Sequence, residues 1–156
     1  MEQATTLPPK VRHKAFAYRT ALQWADNRAG WLRSEGKPEL RVSSPPEFKG
    51  EAGVWTPEDL FVAAVESCTM TTFIAFARKL NLPVVSYQSR AEGALEFVEG
   101  SYRFTKVVLR PQIVLADANA AAAAEKALHE AHQACLIANS ICAKVIVEPV
   151  IKGKEL

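Results

Sequence analysis

Thr56-Pro57-Glu58-Asp59-Leu60-Phe61-Val62-Ala63-Ala64-Val65-Glu66-Ser67-Cys68 carries the strongest structural signal in the sequence. Thr56 can cap free amide groups, Pro57 suits the first helical position, and two carboxylates favour the positive end of a helix dipole. The helix is predicted to run to about Leu80, where Asn81 and Pro83 end it. Leu60, Phe61, Val62, Val65, Met70, Phe73, Ile74 and Phe76 point in several directions around its axis. A helix apolar nearly all round is expected to be buried. In one small domain that burial is hard to supply, so a partner subunit is expected on its other face.

Outward from this helix the sequence reads as strands. Upstream, residues 13–24, 30–34 and 39–44 have strand character, separated by Asp26-Asn27, Glu35-Gly36 and Pro45-Pro46. Downstream, residues 84–98 and 102–115 are long strand candidates joined at Glu99-Gly100-Ser101. An Ala-rich second helix is predicted from about Asp117 to Ile137, with Leu128, Ala131 and Cys135 on its inner face. A last strand covers residues 144–151. Runs of strands with helices between them point to an α+β fold with antiparallel N-terminal strands. Residues 1–11 read as a loosely ordered tail and 12–156 as a single domain.

Composition narrows the class. Nineteen basic and 17 acidic residues, spread along 156, give a net charge of +2 and no clustered basic face for nucleic acid. The first ten residues do not form a signal peptide, and no stretch is expected to reach the roughly 20 apolar residues of a membrane span. Three widely spaced cysteines argue against a secreted disulfide framework and for a cytoplasmic protein with reduced thiols. Cys68 and Cys135, read alone, are small core residues. As a pair on different helices, they could come within disulfide reach if the helices cross. Cys142 is assigned a structural role. Zinc is disfavoured, because His129, His132 and Cys135 do not share one helix face and there is no Cys-x-x-Cys.

Three segments resemble the OsmC/Ohr family (osmotically inducible protein C and organic hydroperoxide resistance protein). Residues 56–68 resemble its central helix, with a Pro-Glu-x-Leu opening, an Ala-rich turn and a reactive cysteine. Ala131-His132-Gln133-Ala134-Cys135-Leu136-Ile137-Ala138-Asn139-Ser140 is similar to its Ala-His-x-x-Cys-Pro-x-Ser-Asn segment. Asn27-Arg28-Ala29-Gly30 is similar to its early Gly-Arg-x-Gly turn. The resemblance implies an OsmC-like fold, an intertwined homodimer and a Cys-based peroxidase of the antioxidant stress response. It gives Cys68 the role of attacking hydroperoxide and becoming a sulfenic acid, and Cys135 that of condensing with it. It implies no cofactor; an external dithiol, of lipoyl type in family members, is the reductant. Arg28 would lower the thiol pKa and Glu58 would hold Arg28 by a two-pronged ion pair. Without the resemblance, Arg28 reads as a solvated turn residue and Glu58 as a helix N-terminal acid.

Glu58 and Cys68 are ten residues apart on one helix, about 15 Å along its axis. Arg28 and Glu58 are therefore expected to serve Cys68 of a partner subunit, giving two sites at a two-fold interface. Glu66, two residues before Cys68, is expected to face away from it. Phe61, Phe73 and Phe76 read either as core or as a pocket favouring organic hydroperoxides over hydrogen peroxide. One departure stands out: Leu136 occupies the place of the family's proline. The runner-up reading follows from it, a non-enzymatic dimeric module of the same fold binding a small hydrophobic ligand.

Overall fold

The computed structural model describes residues 13–154. They fall into two compact units, divided between Val54 and Trp55. The tail assigned to residues 1–11 lies outside the described residues.

The N-terminal unit is an antiparallel meander of β1 (Ala21–Asp26), β2 (Ala29–Arg33) and β3 (Leu40–Ser43). The first strand is shorter than the predicted 13–24 and ends later. Its partner β2 has only five residues and pairing begins at Ala21↔Arg33, so residues 13–20 run past the end of the paired strand. The turn at Asn27-Arg28 is tight. Asn27 has φ 41°, a left-handed conformation that asparagine tolerates. Gly30 is required by close approach: a Cβ there would lie 2.8 Å from the Gln23 carbonyl oxygen. Arg41 ties the unit together through Glu51 at 2.5 Å and Asp26 at 3.1 Å.

The C-terminal unit opens with α1 (Pro57–Lys79). Its start is a capping box: the Asp59 amide donates to Thr56 Oγ1 at 3.1 Å, and the Thr56 amide to Asp59 Oδ2 at 3.0 Å. Asn81, at φ 53°, turns the chain out, and the Leu82 amide reaches back to the Ala77 carbonyl at 2.9 Å. By length and composition α1 would suffice to cross a membrane, contrary to the expectation from the sequence. Within one chain, full burial is confined to Val65, Thr69, Phe73 and Ala77, a stripe with one residue per turn. Burial on all faces is not reached, because one sheet and one helix cover only one side of it.

Each of the three strands predicted after α1, the two long ones and the last, is divided in two. Residues 84–98 form β4 (Val84–Gln88) and β5 (Ala91–Val98). Residues 102–115 form β6 (Ser101–Leu109) and β7 (Gln112–Leu115). Residues 144–151 form β8 (Lys144–Val147) and β9 (Val150–Gly153). The orders β4-β7-β9 and β5-β6-β8 run in step, with the last strand of each parallel to its neighbour and the first antiparallel. The breaks fall at Ser89-Arg90, Arg110-Pro111 and Glu148-Pro149 and make one crease. Proline cannot supply the ladder donor at two of the three. Backbone bonds bridge the crease between Arg90 and Arg110 (2.8 and 3.4 Å), from Glu148 to Leu109 (2.8 Å) and from Val150 to Pro111 (2.8 Å). Arg110 adds ion pairs to Glu92 and Glu148.

The second helix, α2 (Ala121–Gln133), packs on α1 through Ala124, Ala127, Leu128 and Ala131, which meet Phe73 and Ala77. It starts and ends inside its predicted bounds. A 3-10 turn at Ala118–Ala120 leads into it, and Asp117 accepts from the Asn119 amide. Cys135 therefore lies beyond the helix, not on it, because the Cys135 amide bonds back to His132 in a tightened i−3 closure at 3.2 Å.

Phe73 is fully buried in the core shared by α1, α2 and β7. Phe73→Ala is expected to lower unfolding stability by about 3–5 kcal/mol, read from urea denaturation of both proteins.

Candidate active site

Two cysteines from distant parts of the chain meet in the C-terminal unit. Cys68 is in the middle of α1 and partly buried; Cys135 is wholly buried just past α2; both are free thiols. The two thiols are near enough for each to act on the acidity of the other. The small side chains of α2 let it approach α1, and the inner-face position predicted for Leu128, Ala131 and Cys135 carries the second sulfur inward.

The turn after α2 is fixed by its own side chains. Asn139 Nδ2 donates to the Gln133 carbonyl at 2.9 Å, satisfying an end group of the helix, and Ser140 Oγ donates to the Leu136 carbonyl at 2.7 Å. The Asn139 amide bonds to the Cys135 carbonyl at 3.0 Å, and the Ser140 amide to Ile137 at 3.0 Å. Three peptide amides of this turn bear on the acidity of the two sulfurs. Those of Ile137 and Leu136 act on Cys68, and that of Ala138 acts on Cys135. Such a run of peptide N–H groups favours negative charge at its focus.

The two thiols are driven apart in acidity. Burial pushes Cys68 up, but the Ile137 amide, the Cys135 thiol, the Leu136 amide and the Thr72 hydroxyl outweigh it and leave Cys68 below its ordinary value. Burial pushes Cys135 up, and the neighbouring Cys68 adds to this. The Ala138 amide and Thr69 offset only part, leaving Cys135 above its ordinary value. Cys68 is thus the better thiolate and Cys135 the proton-bearing partner. Thr69 Oγ1 lies 3.7 Å from Cys135 Sγ and also bonds to the Val65 carbonyl at 2.9 Å. Thr72 Oγ1 also donates to the Cys68 carbonyl at 2.8 Å. Helix spacing alone puts Thr72, four residues on, beside Cys68; the three amides had no signal in the sequence.

The other predicted residues are placed elsewhere. Glu58 lines a groove of about 340 Å³ between α1 and β5 with Val62, Glu66, Leu95 and Phe104. One carboxylate oxygen of Glu58 and one of Glu66 are buried without a hydrogen-bond partner among the described residues. Glu66 faces away from the sulfurs, as helix geometry requires. Its charge adds to the burial that pushes the Tyr87 phenol up to about 12. Arg28 belongs to the N-terminal unit, where Nη1 donates to the Phe48 carbonyl. Phe73 is core, Phe76 packs against the same cluster, and Phe61 stacks on Phe104 at 4.5 Å, so the three phenylalanines do not form a thiol pocket. His129 pairs with Gln133 at 3.0 Å, while burial lowers the His132 imidazole pKa, with His129 adding to the effect. Cys142 is exposed on the segment before β8, where no packing role supports the structural assignment.

Residues 50–149 match the family model described as OsmC-like protein. An OsmC-like protein of unknown function from Vibrio cholerae has a similar structure, with TM-score 0.81 and 30% identity over 87% of this chain and 100% of that one. An organic hydroperoxide resistance protein from Elizabethkingia anophelis shares the fold at TM-score 0.71 and 18% identity, covering 92% of this chain and 100% of its own. The uncharacterized protein YmaD of Bacillus subtilis is 27% identical over 123 residues, covering 76% of this chain and 81% of that one.

The opposed acidities predict a split in thiol reactivity. In the reduced protein, Cys68 should reach half-maximal alkylation at a pH below the roughly 8.5 of an unperturbed thiol, and Cys135 above it. Peptide mapping after timed iodoacetamide pulses across a pH series checks both.

Proposed function

Since this chain belongs to the OsmC-like family, we propose that it is a thiol peroxidase acting on organic hydroperoxides. The observation that carries this reading is the pairing, in one unit, of an acidified Cys68 with a proton-bearing Cys135. The Cys68 thiolate attacks the outer peroxide oxygen, the O–O bond breaks, and the alkoxide leaves and takes up a proton. Sulfur loses two electrons and becomes a sulfenic acid. Cys135 sulfur then attacks Cys68, expelling water and forming a disulfide. An external dithiol reduces that disulfide by two exchange steps and is itself oxidised to a disulfide. A reducing compartment such as the cytoplasm supplies the dithiol. The exposed side chains of Leu136 and Ile137 beside the thiols favour an apolar peroxide substituent.

The active assembly is a homodimer. Leu22 and Trp24, on one face of β1, are 67% and 74% exposed, an apolar pair that a second copy would cover. In that dimer Arg28 of one protomer reaches the Cys68 of its partner and is held by Glu58, whose buried carboxylate oxygen has no hydrogen-bond partner among the described residues.

Turnover of cumene hydroperoxide with dihydrolipoamide should be abolished by Cys68→Ser, lost after one cycle in Cys135→Ser, and faster than with hydrogen peroxide. No turnover, with no Cys68–Cys135 disulfide after oxidation, would favour a hydrophobic-ligand module. Arg28→Gln should cut kcat/KM by ~10²-fold or more, as for loss of a charge-stabilising donor. Light scattering should give twice the chain mass; a fully active monomer would refute the shared site.

A further inference from the structure

We propose that Thr69 is a positioning residue for Cys135: its hydroxyl holds the second sulfur in the reduced protein and donates to it as negative charge develops there. Thr69 is wholly buried in the middle of α1. Its Oγ1 lies 3.7 Å from Cys135 Sγ and 2.9 Å from the Val65 carbonyl oxygen. Ser67, Thr71 and Thr72 also bond back along the helix, but they are exposed or half-buried, where water can serve a hydroxyl. Thr69 has no such recourse. A hydroxyl out of water costs free energy unless its bonding capacity is used, and valine would fill the same space without that cost. The Val65 carbonyl uses the proton, and the Cys135 sulfur is placed to use the rest.

One hydroxyl proton thus stands between two acceptors. The Val65 carbonyl also lies in the backbone ladder of α1, so it keeps a partner when the hydroxyl rotates away. While Cys135 is a thiol, its S–H can donate to Oγ1 and the hydroxyl proton stays on the carbonyl. A thiolate can only accept, so the hydroxyl turns its proton to the sulfur. That contact offsets part of the burial that keeps Cys135 protonated, with Cys68 the titratable group acting against it. In the resolving step the Cys135 sulfur bonds to the Cys68 sulfur and the S–O bond breaks. The Cys135 proton leaves with the hydroxide as water. Thr69 serves this step and not peroxide attack, because residues 68 and 69 point about 100° apart around the helix axis. The step rests on the peroxidase reading above; the contact itself does not.

Two substitutions separate the hydroxyl from the packing. Thr69→Val keeps the shape and removes the hydroxyl; Thr69→Ser keeps the hydroxyl and loses a methyl. With isotopically labelled cysteine in the full chain, the Cβ resonances follow each thiol through a pH titration of the reduced protein. In Thr69→Val the Cys135 midpoint should rise by about one pH unit while that of Cys68 stays in place. Thr69→Ser should restore the Cys135 midpoint, and Thr69→Ala should match valine, so the result does not hang on one variant folding. After a single addition of cumene hydroperoxide, the sulfenic acid trapped by dimedone should persist ~10-fold longer in Thr69→Val, with the Cys68 thiol consumed at the wild-type rate. A Cys135 midpoint unmoved by valine, raised as far by serine, or matched by an equal move of Cys68 would overturn the proposal. The titration needs no turnover, so an inactive protein with the raised Cys135 midpoint would defeat the preceding reading and leave this one standing.

Discussion

Alanine makes the site possible where α2 crosses α1. Ala124, Ala127 and Ala131 are wholly buried against Phe73 and Ala77, so the two backbones come close with Leu128 wedged between them. A larger side chain at any of the three would push α2 outwards and carry Cys135 away from Cys68. The chemistry thus depends on packing volume before it depends on charge. The sulfurs come together because a core of small residues fixes their distance.

Charge follows from the same packing. A sulfur taken out of water is a poor anion, and burial alone would hold both thiols protonated. The turn at residues 135–140 breaks that symmetry. It gives Cys68 two amides and Cys135 one, with the Asn139 and Ser140 side chains keeping the turn closed. Two chemically identical thiols are shifted in opposite directions by their unequal surroundings. Asn139, whose side chain bonds to the Gln133 carbonyl, holds the turn on which this inequality depends.

The sequence was most legible where local chemistry and global fold agree. Thr56-Pro57-Glu58-Asp59 announces a helix start because capping is a matter of four adjacent residues, and the structure forms the full capping box. Leu128, Ala131 and Cys135 were readable as an inward face because periodicity survives even where the helix itself stops at Gln133. The strand breaks were harder: Pro111 and Pro149 were visible, but Ser89-Arg90 breaks only because its neighbour Arg110-Pro111 does. The amides at the sulfurs were not legible, since every residue but proline has one and only tertiary placement says which are free. The phenylalanines of α1 misled for a related reason, as composition cannot separate an apolar pocket wall from a core.

The crease carries a consequence for the chain's behaviour in a crowded solution. Within the C-terminal unit, β8 and β9 form one outer edge of the sheet, with Pro149 between them. An unbroken edge of eight or so residues offers a continuous row of unpaired N–H and C=O groups, the template on which strands of other chains add and fibres grow. Pro149 removes a donor midway, and the bend tilts one half of the row out of line with the other. A foreign strand can pair with four residues before its register fails. The break between β8 and β9 thus also leaves this edge a poor seed for polymerisation.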